Sequence, residues 1–308
     1  MFMSNGRSNL GDLLYTLHND KMMTVRKEER AMEEKKKASR GERWQHFKEH
    51  FYDAGDPEQL SPYKLFLMLF LGSLIGSLIE VLYCRFSNGY WENRTSLVYG
   101  PFSLAEGFGA LILTIFLHKD AHKPVWKVFL KAFFWMSIAE YVMSWGQEFV
   151  FGTTAWNYSN MPLNINGRIC LYYSLFWGAL GVLWAKVIYP VSDRLVAKIP
   201  KKVGKVLFWI LFVFFVYDCI ISCFASARFN SRRAGEPPKN QFDVLMDKQF
   251  PDSYMRWVYA NTMDVKADGS HGRTMSGKAE KYGQKHRKEM FHPQKSLIVF
   301  MMPSSSVS

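Results

Sequence analysis

The sequence lacks a complete nucleotide-binding motif. Residues 272–279 come nearest to a phosphate-binding loop, but Ala279 stands where a serine or threonine would hold magnesium, and no apolar strand precedes them. The string His46-Phe-Lys-Glu-His50 matches a zinc-protease pattern, yet it lies in a charged segment without a third ligand. We therefore expect no metal and no cofactor, and any ATPase that the chain needs must be a separate subunit.

Cysteine is also scarce: the chain has four, and none of them forms a Cys-x-x-Cys pair. They lie in or beside apolar segments and are interpreted as small apolar residues. Residues 1–11 lack the charged stretch, apolar core and cleavage site of a signal peptide, so the first apolar segment is expected to be its own insertion signal. No catalytic nucleophile stands out, which makes an enzyme the less favoured class.

The net charge of +12 is compatible with nucleic acid or with anionic lipid as a partner. The first 62 residues contribute nothing to it, since their 11 basic and 11 acidic residues cancel. The excess lies in short loops beside apolar segments and in residues 228–308, which have 14 basic and 8 acidic residues. This distribution favours a membrane surface as partner and does not indicate nucleic acid.

Five long apolar segments predict an all-α polytopic membrane bundle of about five transmembrane helices. The predicted spans are residues 63–85, 97–117, 125–150, 169–190 and 203–227. Residues 1–62 form a charged, amphipathic tail, with a short helix at 10–17 and a longer one at 25–52. Residues 228–308 are polar and are expected to be largely disordered, or to form a small appended element.

The longer tail helix places Trp44, Phe47 and Phe51 on one face, which suits a helix lying on the membrane surface. A solvated tail is the alternative. Lysine and arginine are concentrated in the loops 118–131 and 191–205, so the positive-inside rule places these loops and the N-terminus in the cytoplasm. Five spans then place the C-terminus outside. Three arginines just after the last span argue against this: Arg228, Arg232 and Arg233. A second segment that re-enters instead of crossing would change the number of spans and remove the conflict.

Most of the apolar segments also carry carboxylates, and each carboxylate costs ~2.5–3.5 kcal/mol in hydrocarbon. They are Glu80, Glu106, Glu140, Glu148 and Asp218. Counting residues along the spans gathers them in the outer half of the bundle, beneath loops that carry Arg94 and Arg168. We therefore predict a polar chamber there, with these arginines paired to some of the acids; Arg168 with Glu148 is the pair to test by charge reversal. Its excess negative charge favours a cation, a proton or a cationic group as ligand; the alternative is a structural hydrogen-bonded network.

Several strings resemble the bacterial family of type IV ABC-transporter permeases (CmpB-like). They are Gly72-Ser-Leu-Ile-Gly76-Ser-Leu-Ile-Glu80, Glu92-Asn93-Arg94, Gly100-Pro101, Glu140-Tyr141, Trp156-Asn157-Tyr158-Ser159 and Asn164-Ile-Asn166-Gly167-Arg168. The resemblance covers about residues 63–227 and implies a multi-pass protein of the bacterial inner membrane with no established substrate. The chain departs from the family pattern at Thr95 and at Ser103-Leu-Ala-Glu106, which makes Glu106 less secure as a site residue.

These observations favour a permease-like subunit without its own ATPase, either oligomeric or partnered. The candidate pathway residues are Glu80, Arg94, Glu106, Glu140, Glu148, Asn164, Asn166, Arg168 and Asp218. Two alternatives stay open. One is an intramembrane enzyme that uses Glu80 or Glu140 as acid or base, and the other is a sensor or assembly protein whose polar core is only structural.

Overall fold

The computed structural model describes residues 58–265, the backbone of 271–274 and parts of 32–56. The chain divides into two units, Met1–Phe51 and Tyr52–Ser308, which are described separately. In the first unit the described residues between 32 and 50 are helical. The ring of Phe47 lies 5.5 Å from that of Trp44 and 5.3 Å from that of Phe51, so the three aromatic residues share one face. The helix predicted at 10–17 lies outside the described residues.

The second unit is an α-helical bundle. Its described helices are α1 (Pro62–Asn88), α2 (Leu104–Leu117), α3 (Val125–Phe151), α4 (Leu171–Leu183), α5 (Tyr189–Ala197), α6 (Lys201–Arg233), α7 (Gln241–Gln249) and α8 (Asp252–Val258). A π-helical turn, Trp184–Ile188, joins α4 to α5. The short strands are β1 (Thr153–Thr154), β2 (Asn164–Ile165), β3 (Ile169–Cys170), β4 (Met263–Val265) and β5 (His271–Thr274). They form the antiparallel sheets β1-β4-β5 and β2-β3.

Within the described residues, three helical stretches are long and apolar enough to cross a membrane: Pro62–Ser87 of α1, Leu171–Ala197, which comprises α4, the π-helical turn and α5, and Lys201–Arg233, which is α6. They identify the chain as an all-α helical membrane protein. Helix α3 has a similar length of 27 residues but carries four charged side chains. Helix α2 has 14 residues, about 21 Å, which is shorter than the ~30 Å of a hydrocarbon core.

The second predicted span, 97–117, is not a continuous helix. Residues 95–103, here named the interrupted segment, are irregular, and α2 begins only at Leu104. Gly100 has a φ of 77° and is followed by Pro101, a pair that does not continue a helix. The Ser103 N–H donates to the Ser73 carbonyl at 3.0 Å, so the segment reaches the middle of α1 before α2 starts.

Irregular backbone within a membrane bundle needs internal hydrogen-bond partners, because lipid offers none. The Val98 N–H donates to Ser222 Oγ at 2.8 Å, and the Tyr99 N–H donates to Asp218 Oδ1 at 3.0 Å. The Leu104 N–H donates to Ser96 Oγ at 2.7 Å. Polar side chains of α6 and of the segment itself therefore replace the missing helical bonds.

The two ends of the bundle are held by different contacts. At the end where α1 begins, Lys64 forms an ion pair with Asp193 of α5, with 2.6 Å between Nζ and Oδ1. At the other end, strand β1, which follows α3, pairs with β4 near the C-terminal end of the described chain. Helices α1, α3 and α6 therefore run in the same direction, and residues 241–265, here named the C-terminal element, lie where α1 and α3 finish.

Residues 228–265 are folded; a largely disordered tail or a small appended element was expected for 228–308. Helix α6 continues to Arg233, past the predicted boundary at 227, and the C-terminal element folds into two helices and a strand. The reason is a shared apolar core: Met246, Phe250 and Met255 are almost completely buried and cluster with Val98 and Phe229. Residues 275–308 lie outside the described part of the chain.

The three arginines that argue against an external C-terminus are paired with carboxylates. Arg228 bonds to Asp247 with 2.8 Å between Nη2 and Oδ2, and Arg232 bonds to Asp252 with 2.6 Å between Nε and Oδ1. Arg233 pairs with Asp264. Hydrogen bonds from Arg228 and Arg232 hold the pKa of Asp247 below its usual value. These pairs attach the end of α6 to the C-terminal element.

Candidate functional site

Two helical hairpins of the bundle have similar contacts, namely a serine contact between their two helices and an arginine close to a glutamate. In the first hairpin, α1 and α2, the Ser103 N–H donates to the Ser73 carbonyl. In the second, α3 and α4, Ser137 Oγ donates to Ser174 Oγ at 2.7 Å. In each hairpin an arginine of the connecting loop lies close to a glutamate of the first helix: Arg94 near Glu80, and Arg168 near Glu148.

In the first hairpin, Glu80 of α1 and Glu106 of α2 face each other, and their carboxyl groups lie within hydrogen-bonding distance. Glu106 fits there because Gly76 leaves room for it, and a side chain at Gly76 would collide with the Glu106 Cβ. Ser103 Oγ, at the N-cap of α2, donates to Glu106. Arg94 Nε lies 3.7 Å from Glu80 Oε1, and Glu80 keeps 32% of its side chain exposed.

Arg94 is the cation of this site. Its Nε lies 3.6 Å from Glu92 Oε2 and donates to Cys84 Sγ at 3.0 Å. Burial alone would lower the pKa of Arg94, but Glu80, Cys84 and Glu92 raise it above its usual value, so the guanidinium stays charged. Arg94 therefore lies near two carboxyl groups, those of Glu80 and Glu92, and Glu106 faces Glu80. These four residues are here named the first-hairpin cluster. With every carboxyl ionised, the cluster carries a net charge of about −2.

In the second hairpin, Glu140 of α3 is buried and is held by two neutral donors. Tyr158 OH donates to Oε1 at 2.9 Å, and Trp177 Nε1 of α4 donates to Oε2 at 3.0 Å. Burial and the neighbouring Glu140 raise the pKa of Tyr158 well above its usual value, so the phenol remains a donor. The Tyr158 ring stacks on Tyr173 with 4.6 Å between centroids.

Arg168 lies where the sequence predicts it. Its Nη2 is 2.6 Å from Glu148 Oε2, and its Nη1 donates to Ser144 Oγ at 3.3 Å. The guanidinium lies over the Tyr141 ring at 5.7 Å, and the Arg168 carbonyl accepts from Trp156 Nε1 at 2.9 Å. The predicted pairing of Arg168 with Glu148 is therefore present.

Reversing either charge of this pair is expected to destabilise the protein by about 1.5–3 kcal/mol, the range for hydrogen bonds to charged groups. Arg168→Glu and Glu148→Arg should each lower the melting temperature in detergent. The double reversal should recover most of the loss, because the pair is re-formed with opposite sense. A double variant no more stable than the worse single variant would contradict the pairing.

Asn164 and Asn166 organise the loop before β3. Asn164 Nδ2 donates to the Met161 carbonyl at 2.8 Å, and its Oδ1 accepts from the Gly167 N–H at 3.0 Å. Asn166 has a φ of 53°, a left-handed conformation that asparagine tolerates, and its Nδ2 donates to Tyr141 OH. Both residues therefore position the turn that carries Arg168, and their described bonds do not reach the carboxylates.

Asp218 has a different setting from the other predicted acids. Its described hydrogen bonds run to the Tyr99 N–H and to Ser222, so it contacts the interrupted segment and not the glutamates. The sequence did not indicate Ser103 and Trp177 as partners of the acids, or Cys84 as a partner of Arg94. The only signal for Trp177 is its position on a small-residue face of α4, next to Gly178.

The fold and these contacts define a polytopic helical membrane protein with two similar hairpins and carboxyl groups inside its bundle. The family described as "Putative ABC-transporter type IV" matches residues 67–223, slightly more than half of the chain, and the chain belongs to this family. No curated protein and no solved structure matches the chain. Within the part of the chain that the structure describes, no group of three or more His, Cys, Asp or Glu side chains is arranged to hold a metal ion.

Proposed function

We propose that the chain is the membrane subunit of an ABC-type transporter, and that its first-hairpin cluster binds a cation, a proton or a cationic group of the substrate. The observation that carries this proposal is the facing pair Glu80 and Glu106. The two carboxyl groups come from different helices, lie where α2 begins and are only partly buried. Two carboxyl groups so close together repel when both are ionised and can share a proton or a cation.

The architecture supports a transport role. Interrupted helices with their N-termini inside the bundle, and internal repeats, are recurrent features of transporter binding sites. Glu106 lies in the first turn of α2, where the helix dipole favours a negative side chain. The polar face of α2 is therefore compatible with a charged site within the bundle.

In the second hairpin, the ring of Tyr173 of α4 stacks on that of Tyr158, which donates to Glu140. The proposed polar chamber extends from the first-hairpin cluster towards this buried carboxyl group. In the proposed chamber, Arg94 limits the negative charge and the second hairpin forms the facing wall.

A separate ATPase subunit is part of the proposal, because the sequence has no complete nucleotide-binding motif. The proposed location is the bacterial inner membrane, with the N-terminus in the cytoplasm and the C-terminal element on the opposite side. Purification of the tagged protein from its native membrane in mild detergent should bring down an ATPase in fixed stoichiometry. A homo-oligomer without an ATPase would contradict the ABC-type assembly but leave the cluster to be tested alone.

The cluster itself is tested by Glu80→Gln and Glu106→Gln in proteoliposomes that contain the purified assembly. Uptake of protons and of monovalent cations, followed with fluorescent indicators, should fall to background in both variants because each loses a charge that the ligand needs. Glu236→Gln is the matched control, since Glu236 is an exposed partner of Lys239 in the segment between α6 and α7. Unchanged flux in both cluster variants would show that the carboxyl pair is only structural.

A further inference from the structure

Asp218 is a buried carboxyl group without a cationic partner. Its side chain is fully buried near the middle of α6. Oδ1 accepts from the Tyr99 N–H at 3.0 Å and from Ser222 Oγ at 3.3 Å, whereas Oδ2 has no hydrogen-bond partner. None of the ion pairs found within residues 58–265 includes Asp218.

The titratable groups around Asp218 are neutral. Tyr99 reaches it through its backbone N–H from the interrupted segment, Tyr254 and Tyr259 of the C-terminal element are within electrostatic range of it, and Cys219 is its neighbour on α6. Burial raises the pKa of Tyr259 to about 12 and also raises the pKa of Tyr254, so neither phenol titrates near neutral pH. No lysine or arginine is among these groups.

Two parts of the chain cover Asp218 and hold each other in place. Tyr254 OH donates to the Val98 carbonyl at 2.6 Å, and the rings of Tyr99 and Phe250 lie 5.8 Å apart. Val98 and Phe250 also share one apolar cluster. Departure of the C-terminal element would uncover the interrupted segment and give Asp218 access to water.

An ionised carboxylate that is buried without a cation is costly, whereas the protonated acid is neutral and removes that cost. The docked arrangement therefore favours the protonated form, and the undocked, hydrated arrangement tolerates the ion. We propose that Asp218 is a proton-binding site, with Oδ2 as the acceptor, whose occupancy stabilises docking of the C-terminal element on the interrupted segment. The structure thus assigns a proton ligand to an acid outside the first-hairpin cluster.

The direction of the pH dependence follows from this linkage. Because the docked state binds the proton more tightly than the undocked state, docking is strongest at low pH and weakens as pH rises. The arginine pairs of the C-terminal element respond in the opposite sense. Because the pKa of Asp247 is lowered, these pairs stabilise docking fully above the ordinary titration range of an aspartate, and this stabilisation is lost only in acid. Between about pH 5.5 and 8.5 they stay constant, so the part of the pH dependence that Asp218→Asn removes reports Asp218.

Amide hydrogen exchange of the full-length protein in detergent tests the site. After correction for intrinsic exchange, protection of residues 241–265 in the wild type should fall with rising pH, by at most about tenfold per pH unit for one linked proton. Asp218→Asn, neutral and similar in shape, should keep its protection at all pH values. Asp247→Asn is the matched control: it should lower protection throughout but keep the slope.

Three results would overturn the proposal. The first is a wild-type protein whose protection does not depend on pH, a measurement that needs no variant. The second is an Asp218→Asn protein with the wild-type slope. The third is recovery of wild-type protection at pH 8.5 when sodium replaces choline in the buffer, which would assign a metal cation to Oδ2 in place of the proton.

Discussion

Replacing Lys64 with methionine is expected to lower the stability of the protein by ~3–5 kcal/mol, the cost of leaving one partner of a buried ion pair alone. Lys64 and Asp193 have side chains that are 1% and 0% exposed, and their charged atoms are 2.6 Å apart. Lys64 Nζ also donates to the carbonyls of Asp56 and Gln59 at 2.6 and 2.8 Å. The methionine variant would leave the Asp193 carboxylate and both carbonyls without this donor.

The measurement is thermal unfolding of the purified protein in detergent, followed by size-exclusion chromatography of heated samples. The double variant Lys64→Met/Asp193→Leu should recover most of the loss, because an apolar pair of similar volume removes the unpaired charge. Lys239→Met is the matched control, since its pair with Glu236 is exposed, and it should change the melting temperature little. A Lys64→Met protein as stable as the wild type would contradict a structural role for the buried pair.

The helical bundle follows from the apolar segments, as the first and third predicted spans show. Residues 63–85 and 125–150 were predicted, and the helices run over Pro62–Asn88 and Val125–Phe151. The interrupted segment did not follow from the apolar pattern, because hydropathy measures the cost of transfer from water and not the backbone conformation. A second segment that re-enters was only an alternative suggested by the charges after the last span. Gly100-Pro101 was the available signal, and its effect is structural: it lets nine residues remain irregular within the bundle.

The candidate site was predictable where both partners are side chains with opposite charge. Arg168 and Glu148 could be paired from their positions at the same end of the bundle. The partner of Asp218 could not be found in this way, because it is the Tyr99 N–H, a backbone group 119 residues away. No side-chain pattern marks such a donor, and only the irregular backbone leaves it free to bond.

The packing of the C-terminal element could likewise not be predicted from its own sequence. Its buried residues Met246, Phe250 and Met255 are too widely spaced among polar residues to predict a core on their own. Their apolar partners, Val98 and Phe229, belong to the interrupted segment and to α6. The element is therefore stabilised by surface that the rest of the chain provides, and composition alone predicts disorder for it.

Gly107→Ala is expected to separate α1 from α2. A Cβ at Gly107 would collide with Ser73 Oγ and lie 2.9 Å from the Leu69 carbonyl oxygen, which belongs to the backbone of α1 and cannot rotate away. Overpacking of this kind costs ~1–3 kcal/mol, because close-packed helices must shift to admit the methyl group. The same shift would move Glu106, one residue earlier on α2, away from Glu80, so ligand binding should weaken along with stability.

Gly146→Ala is the matched control for this prediction. Gly146 also lies inside a long helix, α3, but nothing stands within 4 Å of an added Cβ. Alanine favours a helix over glycine by about 0.5–1 kcal/mol, so this variant should be as stable as the wild type or slightly more so. Both are measured as melting temperatures in the same detergent. Equal effects of the two substitutions would mean that α1 and α2 do not pack closely at Gly107, and the facing of Glu80 and Glu106 would lose its support.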